Sequence, residues 1–269
     1  MNTFFIRFHL LSPMQIGAGS LGMIEKTLLY IPPKVIWGAF VNRLTQMIFQ
    51  NPDGNHFIQV GNAVDVGGIS TFFPEIDGVR MLPVIPDRKW IDPEHPEFCL
   101  SFSEIQSSMM TSMASTAIAP EQMAAARGTL HAVDLINSCA ADRSGNMIPV
   151  SFSGYMSLSD NILESEIDDS LIRKVFDSSR IGGGRKCGLG RIMTDTVELV
   201  SGYDGFRQIP IPGGTLLTAD MPFSPELNVS GEIRLISRRE YDPSAGSGQH
   251  FSDPQFVWAT GSVIYDSAS

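Results

Sequence analysis

The strongest chemical signal in the chain is a glycine-rich segment with embedded cations, Gly182-Gly183-Gly184-Arg185-Lys186-Cys187-Gly188-Leu189-Gly190-Arg191. Its five glycines carry no Cβ, so backbone N–H groups there can approach a ligand closely. A run of such amides can form an anion-binding concavity, and Arg185, Lys186 and Arg191 supply charge that pairs with phosphate. The pattern predicts a loop that binds the phosphates of a nucleic acid. The alternative is a tight connection between a helix and a strand, which needs glycine for its geometry alone.

The charge distribution points to the same segment. The formal net charge is -10, which by itself argues against a nucleic-acid partner. Between Arg173 and Arg191, however, the sequence has six basic residues and one acidic residue, Asp177, which gives a local net charge of +5. An acidic chain with one concentrated basic segment suits a protein that grips a polyanion at one place, with Arg180 as a further contact. A solvated basic surface is the alternative.

A second glycine string, Gly17-Ala18-Gly19-Ser20-Leu21-Gly22, matches GxGxxG but predicts no dinucleotide site. Such a loop follows a strand directly and opens a helix. Here the residues 12–16 intervene, and Pro32-Pro33 closes the following segment too soon. The loop at 182–190 is also not a Walker loop, because it joins a helix to a strand and has Leu189 where the Walker lysine belongs.

Catalytic signals are sparse. The five histidines are scattered and have no metal-ligand spacing with the cysteines, and neither a nucleophile elbow nor an HExxH motif is present. Candidates for acid–base or metal-assisted RNA cleavage are His9, His131, Asp134 and Glu25, none of them in an organised pair. We therefore expect a protein without catalytic residues, cofactor or metal site, and not an enzyme.

Hydrophobic periodicity gives the elements that must position the loop. Residues 3–11 alternate, with Phe4 and its alternate neighbours on one apolar face and Arg7 and His9 on the other, which predicts an antiparallel strand with one covered and one open face. Helices are predicted over 35–49 and 165–176.

Further strands complete the predicted order. A long β-hairpin is predicted over 129–158, and a strand over 191–200 with Met193, Val197 and Leu199 inward. The order is that of an α+β, ferredoxin-like βαββαβ core. The Met-rich segment 104–126 is interpreted as a mobile excursion or a helix that docks on a partner.

The domain prediction places the core in residues 1–200, with an insertion at about 104–158, and a β-rich C-terminal extension in 201–269. Composition excludes intrinsic disorder, and no apolar run is long enough for a transmembrane helix. The start MNTFFIRFHLLSP lacks the marks of a secretory signal. Three cysteines without a CxxC pair argue against a disulfide framework and favour a cytoplasmic location.

Four motifs in order resemble the RAMP superfamily of CRISPR effector subunits: LLSPMQIGAG, YIPPKVIWGAF, RGTLHAVDLINSCAADRSGNMIPVSFSGYM and IGGGRKCGLGRI. The resemblance covers roughly residues 3–200. It implies an RRM/ferredoxin-like fold, a glycine-rich loop after the last helix and a projecting β-hairpin, the thumb.

The segment GGTLLTADMPFSP (213–225) looks most like the Cas-five-type subunit of type III-D-like effectors. That resemblance implies a non-catalytic subunit that caps the backbone filament and holds the 5′ handle of the crRNA. The implied partners are the crRNA, neighbouring backbone subunits, a large subunit or nuclease, and indirectly the target RNA or DNA, with no membrane. The implied RNA contacts are Gly182, Gly183, Gly184, Arg185, Lys186, Gly188, Gly190, Arg191, Arg180, Ser12, Gln15, Gly17, Arg7, His9, Arg127 and Arg143.

Two relatives within the resemblance remain alternatives. Backbone subunits can cut target RNA through a loop aspartate, but this sequence has Glu25 in the first long loop. The endonucleases that process crRNA usually carry the glycine-rich loop near the C-terminus, whereas here about 80 residues follow it. Outside the resemblance, a different ferredoxin-like binding module or a small-molecule enzyme is the remaining alternative.

Overall fold

The computed structural model describes residues 2–119, 121, 123–142, 145–159, 161–163, 165–201, 207–237, 239–242 and 246–265. Within them the chain forms α1 (Pro33–Ile48), α2 (Gly54–Ala63), α3 (Phe102–Met109), α4 (Asp169–Asp177) and many short strands. The predicted α+β class is confirmed. None of the helices in these ranges is long and apolar enough to cross a membrane.

A five-stranded antiparallel sheet forms the centre of the fold. Its strands, in spatial order, are Ile192–Val200, Asn2–Leu10, Ser151–Leu158, Phe73–Ile76 and Val79–Arg80. Numbered along the chain, the first four strands in space are the fourth, first, third and second. Since α1 lies between the first and second and α4 between the third and fourth, the order is that of the predicted βαββαβ unit.

One face of this sheet is covered because the first strand alternates as predicted. Phe4, Ile6, Phe8 and Leu10 are all buried. The ring of Phe8 lies 5.7, 6.2 and 5.9 Å from the rings of Phe72, Phe152 and Phe176. Phe176 belongs to α4, and Phe40 of α1 lies 5.9 Å from it, so both helices pack on the same aromatic cluster. Burial of each such side chain stabilises the fold by about 1.5–3 kcal/mol.

The edge strand Ile192–Val200 departs from the predicted alternation. A register shift against Arg7 and Phe8 leaves Asp195 without an opposite residue, which is a β-bulge. The bulge inverts the alternation, so Met193 and Val197, on either side of it, point to opposite faces of the sheet. Met193 is 47% exposed while Val197 is buried, and the prediction that Met193 faces inward is wrong. Leu199 is 64% exposed, so that prediction is wrong as well: the residue lies opposite Phe4, but on the outermost strand.

The predicted hairpin over 129–158 is wrong because its two arms belong to different sheets. His131–Ile136 pairs antiparallel with Met110–Ser115 and parallel with Ile24–Thr27, whereas Ser151–Leu158 lies in the central sheet. A hairpin insertion does exist, with Met110–Ser115 and His131–Ile136 as arms. Ile118–Ala119 and Ala124–Ala125 extend it, Gly17–Leu21 pairs with Ile24–Thr27 beside it, and Cys139–Ala141 pairs with Met147–Pro149.

The segment 104–126 is therefore not a free excursion, and it is helical only up to Met109. Its first part lies in α3, whose Ile105 and Met109 are buried. Ser101 accepts a hydrogen bond from the N–H of Glu104 and starts that helix with a capping box. The second part supplies an arm of the insertion.

The chain after residue 200 is β-rich and packs back on the core. One sheet holds Gln208–Ile211, Gly214–Leu217, Val263–Ile264 and Val229–Ser230; a second holds Met221–Pro222, Gln255–Trp258 and Ile233–Ile236; Arg239–Asp242 pairs with Gly246–Phe251. Leu216 and Val263 belong to the same buried cluster as the central sheet. The remaining small sheets are Leu82–Val84 with Lys89–Ile91 and Cys99–Ser101, and Asn161–Ile162 with Ser165–Glu166. The thiols of Cys99, Cys139 and Cys187 are free and exposed.

Candidate nucleic-acid interface

The glycine-rich loop (residues 182–190) is fastened to the segment that follows the first strand. Two hydrogen bonds come from the loop itself, Gly183 N–H to Gln15 O (2.8 Å) and Gly190 N–H to Pro13 O (2.9 Å). Two more involve Arg191 just after it, Leu11 N–H to Arg191 O (2.8 Å) and Arg191 N–H to Ser12 Oγ (2.9 Å). Several loop amides are therefore used within the protein. The prediction that the N–H groups of Gly183 and Gly190 bind an anion is wrong, because these groups already donate to backbone carbonyls.

Packing explains most of the glycines. A Cβ on Gly182 would overlap the backbone oxygen of Gln15, and one on Gly190 would overlap the backbone oxygen of Ile181. Both glycines also have φ values, +88° and +73°, that favour glycine. The tight-connection alternative thus accounts for these positions, while Gly188 stands in open space with φ +89°.

The tip of the loop is different, because it faces outward. The side chains of Arg185 and Lys186 are exposed, and within the described residues the N–H groups of Gly184, Arg185 and Lys186 make no hydrogen bond. The guanidinium of Arg180 donates from Nη1 to the carbonyl of Arg185 at 2.6 Å, which fixes one cation against the turn that carries the others.

A groove runs between this loop and α1. It consists of two adjoining depressions of about 400 and 360 Å³ that share Ala39, Asn42, Arg180 and Arg185. We call it the basic groove. Residues 34, 38, 42 and 46 of α1 line it at the spacing of one helical face. Its full lining is Ile16, Gly17, Lys34, Val35, Gly38, Ala39, Asn42, Arg43, Gln46, Ser178, Ser179, Arg180, Gly182, Gly183, Arg185 and Lys186.

The groove is strongly cationic. Lys34, Arg43, Arg180, Arg185 and Lys186 line it, and its lining includes no Asp or Glu. Arg43 donates from Nε to Ser178 Oγ at 2.8 Å, a neutral partner that holds the guanidinium across the groove. Since low-dielectric walls focus the field of like charges, the groove has the electrostatic character that a polyanion requires.

Two predicted contacts, Arg7 and His9, lie outside the groove, on the central-sheet face opposite α1. Arg7 Nε is 2.8 Å from Glu75 Oε2, and the Glu75 side chain is only 5% exposed. His9 Nδ1 is 2.7 Å from Asp195 Oδ1. Both are next to a carboxylate that competes with phosphate, so neither strengthens the basic groove.

The other predicted contacts divide into supports and isolated positions. Ser12 and Gln15 hold the loop through the hydrogen bonds given above, and Gly17 lines the groove. Arg191 is exposed but does not line the groove, and Arg127 is exposed on the insertion. Arg143 lies outside the described residues.

Three candidates for RNA cleavage, Glu25, His131 and Asp134, lie on the paired strands Ile24–Thr27 and His131–Ile136, whereas His9 lies on the central sheet. Within the described residues no hydrogen bond joins any two of them. Asp134 is buried and accepts hydrogen bonds from Lys26 Nζ (2.9 Å) and Ser112 Oγ (2.5 Å). Burial raises the pKa of Asp134, but those two donors outweigh it and hold that pKa below its ordinary value. His131 Nδ1 is 3.1 Å from a backbone oxygen, and Glu25 accepts from Gln15 Nε2 at 3.0 Å. Within the described residues, no group of three His, Cys, Asp or Glu could hold a metal ion.

Two features of the site were not predicted from the sequence. The helix α1 was predicted only as a core helix, but it also has an outward face with Lys34 and Arg43; the four-residue spacing of Lys34, Gly38 and Asn42 indicates that face. The His9–Asp195 pair was also not predicted, because these residues are 186 positions apart.

Comparison with known proteins gives matches of fold. No family model matches the chain, and no curated protein matches it. A chain in the cryo-EM structure of the Type III-B Cmr-beta bound to cognate target RNA and AMPPnP (state 1) is similar with a TM-score of 0.60 at 14% identity, covering 97% of this chain and 86% of that one. A chain of the Type III-B Cmr-beta bound to cognate target RNA is similar with a TM-score of 0.56 at 12% identity and the same coverage. At these identities the similarity shows a shared fold.

Proposed function

We propose that this chain is an RNA-binding subunit of a type III CRISPR ribonucleoprotein effector, and that the basic groove holds the backbone of the guide RNA. The observation that carries the proposal is the convergence of five cations, from α1, from the glycine-rich loop and from Arg180 just before it, on one groove without an acidic residue in its lining. The fold shared with chains of RNA-bound Cmr-beta complexes supports the assignment to this kind of assembly.

The physics of single-stranded RNA suits this groove. Side-chain cations can track a phosphate backbone without reading sequence, and such binding is strong only where charges cluster. In this proposal the glycine-rich loop acts through Arg185 and Lys186 together with the preceding Arg180, while its glycines allow the turn to pack on the residues 13–15. The remaining acidic surface meets protein neighbours.

Within such an assembly we assign the chain the role of the Cas-five-type subunit, which holds the 5′ handle of the crRNA and does not cleave. The motif resemblance around residues 182–191 and 213–225 supports this finer assignment. Neighbouring backbone subunits are its expected protein partners, and the insertion with Arg127 is their expected contact.

The test is affinity purification of the tagged full chain from its native cells, with sequencing of the bound RNA. We expect short RNAs that share one 5′ segment and differ beyond it, together with other subunits of the effector. Arg185→Glu with Lys186→Glu should lose the RNA. An RNA pool without a shared 5′ segment, or retention of the RNA by the variant, contradicts the proposal.

A second candidate, an endoribonuclease, is favoured by one observation. Asp195 holds Nδ1 of His9 at 2.7 Å, which orients the imidazole and leaves Nε2 to exchange a proton with a 2′-hydroxyl or a leaving oxygen. Incubation of the chain with labelled guide precursor and target RNA, with and without Mg²⁺, decides between the two. Cleavage by the wild type that is lost in His9→Ala supports the nuclease, and no cleavage by either supports the binding subunit.

A further inference from the structure

A cavity of about 440 Å³ lies where α1 begins and the C-terminal sheets pack against it. Trp37 lines it from α1, and Arg207, Asp220 and Thr260 line it from the C-terminal part. We infer that this cavity takes a single nucleobase that carries an exocyclic amino group, splayed out from the RNA strand in the basic groove. The inference rests on the proposed function and adds a base-reading site to it.

Trp37 is held as a fixed stacking surface. Its indole N–H donates to the carbonyl of Val64 at 2.7 Å, which sets the ring's orientation. The ring packs on α2 at Gly61, where a Cβ would stand 3.0 Å from Cζ2. Stacking of a base on an aromatic side chain contributes about 5- to 150-fold in affinity, and a ring fixed beforehand loses little entropy when it binds.

Asp220 supplies the polar recognition. Its Oδ1 accepts hydrogen bonds from Thr260 N–H (2.9 Å) and Thr260 Oγ1 (3.1 Å). Its Oδ2 makes no hydrogen bond within the described residues and can accept one from an incoming N–H. Adenine, cytosine and guanine present an exocyclic amino group, whereas the single N3–H of uracil is flanked by two carbonyl oxygens that the carboxylate repels. The cavity should therefore disfavour uracil.

The cavity adjoins the basic groove. Lys34 lines both, so a strand that follows α1 reaches the cavity at the start of the helix. From Gln46 to Lys34 the groove follows α1 for about 18 Å, which accommodates several nucleotides at about 3.4 Å per stacked nucleotide. Arg207 also lines the cavity; its guanidinium lies beside Gly67, where the carboxylate of Asp65 lies as well.

The experiment measures the affinity of the purified full chain for labelled decamers of A, C and U by fluorescence anisotropy, and the quenching of tryptophan fluorescence by the same RNAs. We expect the A and C decamers to bind about tenfold tighter than the U decamer, and to quench a signal that Trp37→Phe removes. Asp220→Asn should abolish or invert the preference, because the amide can turn its oxygen to Thr260 and offer its NH₂ group to a uracil carbonyl. The exposed Asp253, which does not line the cavity, gives the matched control Asp253→Asn, expected to keep the preference.

The variants separate this inference from the proposed function. Arg185→Ala with Lys186→Ala should weaken all decamers alike and leave the base preference intact. RNA binding without a preference for A and C, or a preference that survives Asp220→Asn, overturns the base pocket while the groove stands. Competition with AMP, CMP and UMP shows whether the cavity takes its base from an RNA strand or from a free nucleotide. If the chain binds free CMP through Asp220 but binds no RNA, the RNA strand is overturned as the source of the base. If the chain binds neither CMP nor RNA, both the base pocket and the RNA-binding groove are overturned.

Discussion

Removal of the two outermost cations of the basic groove should change both the strength and the salt dependence of RNA binding. The change is Arg185→Ala with Lys186→Ala, at side chains that are exposed and hold no acidic partner within the described residues. If each of the five groove cations neutralises one phosphate, the logarithm of the affinity should fall with the logarithm of salt at a slope of about -3.5, since single strands give roughly -0.7 per phosphate. With three cations left, the slope should be about -2.

The loss of affinity follows from the same relation. Electrostatic contributions nearly vanish at about 1 M salt, so two lost contacts should weaken binding about 25-fold at 0.1 M salt and hardly at all at 1 M. Fluorescence anisotropy of a labelled single-stranded RNA with the full chain, at four or more salt concentrations, measures slope and affinity together. Circular dichroism of the variant checks that the fold is unchanged.

A matched control separates local contacts from overall charge. Arg88 and Lys174 are exposed and do not line the groove, so Arg88→Ala with Lys174→Ala lowers the net charge by the same amount at another place. We expect the control to keep a slope near the wild-type value. Equal slopes for the wild type and the groove variant, or an equal loss in both variants, would refute the reasoning that the groove is the RNA site.

Three other perturbations test the packing and the charges. Gly190→Ala places a Cβ against a backbone oxygen and should destabilise the chain by more than about 2 kcal/mol in urea unfolding, whereas Gly188→Ala, in open space but at positive φ, should cost about 1 kcal/mol; equal costs would contradict the packing argument. Asp134→Asn should be less stable than the wild type at neutral pH. Folding lowers the pKa of Asp134, so its charged form stabilises the folded chain at pH values above the ordinary carboxyl pKa. The difference in melting temperature between the wild type and Asp134→Asn should therefore close as the pH falls towards 3. A difference that is independent of pH would count against this. Arg7→Ala removes the guanidinium beside the buried carboxylate of Glu75, so it should lower the melting temperature by several degrees while the salt slope of RNA binding stays unchanged; a changed slope would place Arg7 at the RNA.

Local hydrophobic periodicity was sufficient to predict individual helices and strands, but it was insufficient to predict which strands pair with each other. The first strand and α1 were predictable, because alternation in residues 4–10 and helical spacing in Ile36, Phe40 and Leu44 are properties of adjacent residues. The hairpin over 129–158 failed, because alternation identifies a strand without saying which strand lies beside it. Two consecutive β segments with a turn between them look the same in sequence whether they pair with each other or join two different sheets.

The candidate site shows the same division. Arg180, Arg185 and Lys186 were found because their charges are close in sequence, but Lys34 and Arg43 lie far away along the chain and reach the groove only through the packing of α1. Arg7 and His9 were predicted as RNA contacts because their carboxylate partners, Glu75 and Asp195, lie far away in the sequence and are not visible in the local pattern. The bulge at Asp195, which turns one of those carboxylates towards His9, has no counterpart in the local pattern of residues 191–200.

The glycine-rich loop also shows why such motifs are ambiguous, since two separate requirements overlap in one stretch of sequence. Gly182 and Gly190 are needed for close packing on the residues 13–15 and on the loop's own base, and they would be needed if no ligand existed. Arg185 and Lys186 contribute nothing to that packing, yet they stand on a turn that Arg180 and the loop anchors hold in place. A turn that is fixed before binding loses less conformational entropy when it meets a phosphate strand. The packing glycines therefore assist binding indirectly, through the rigidity of the platform that presents the cations.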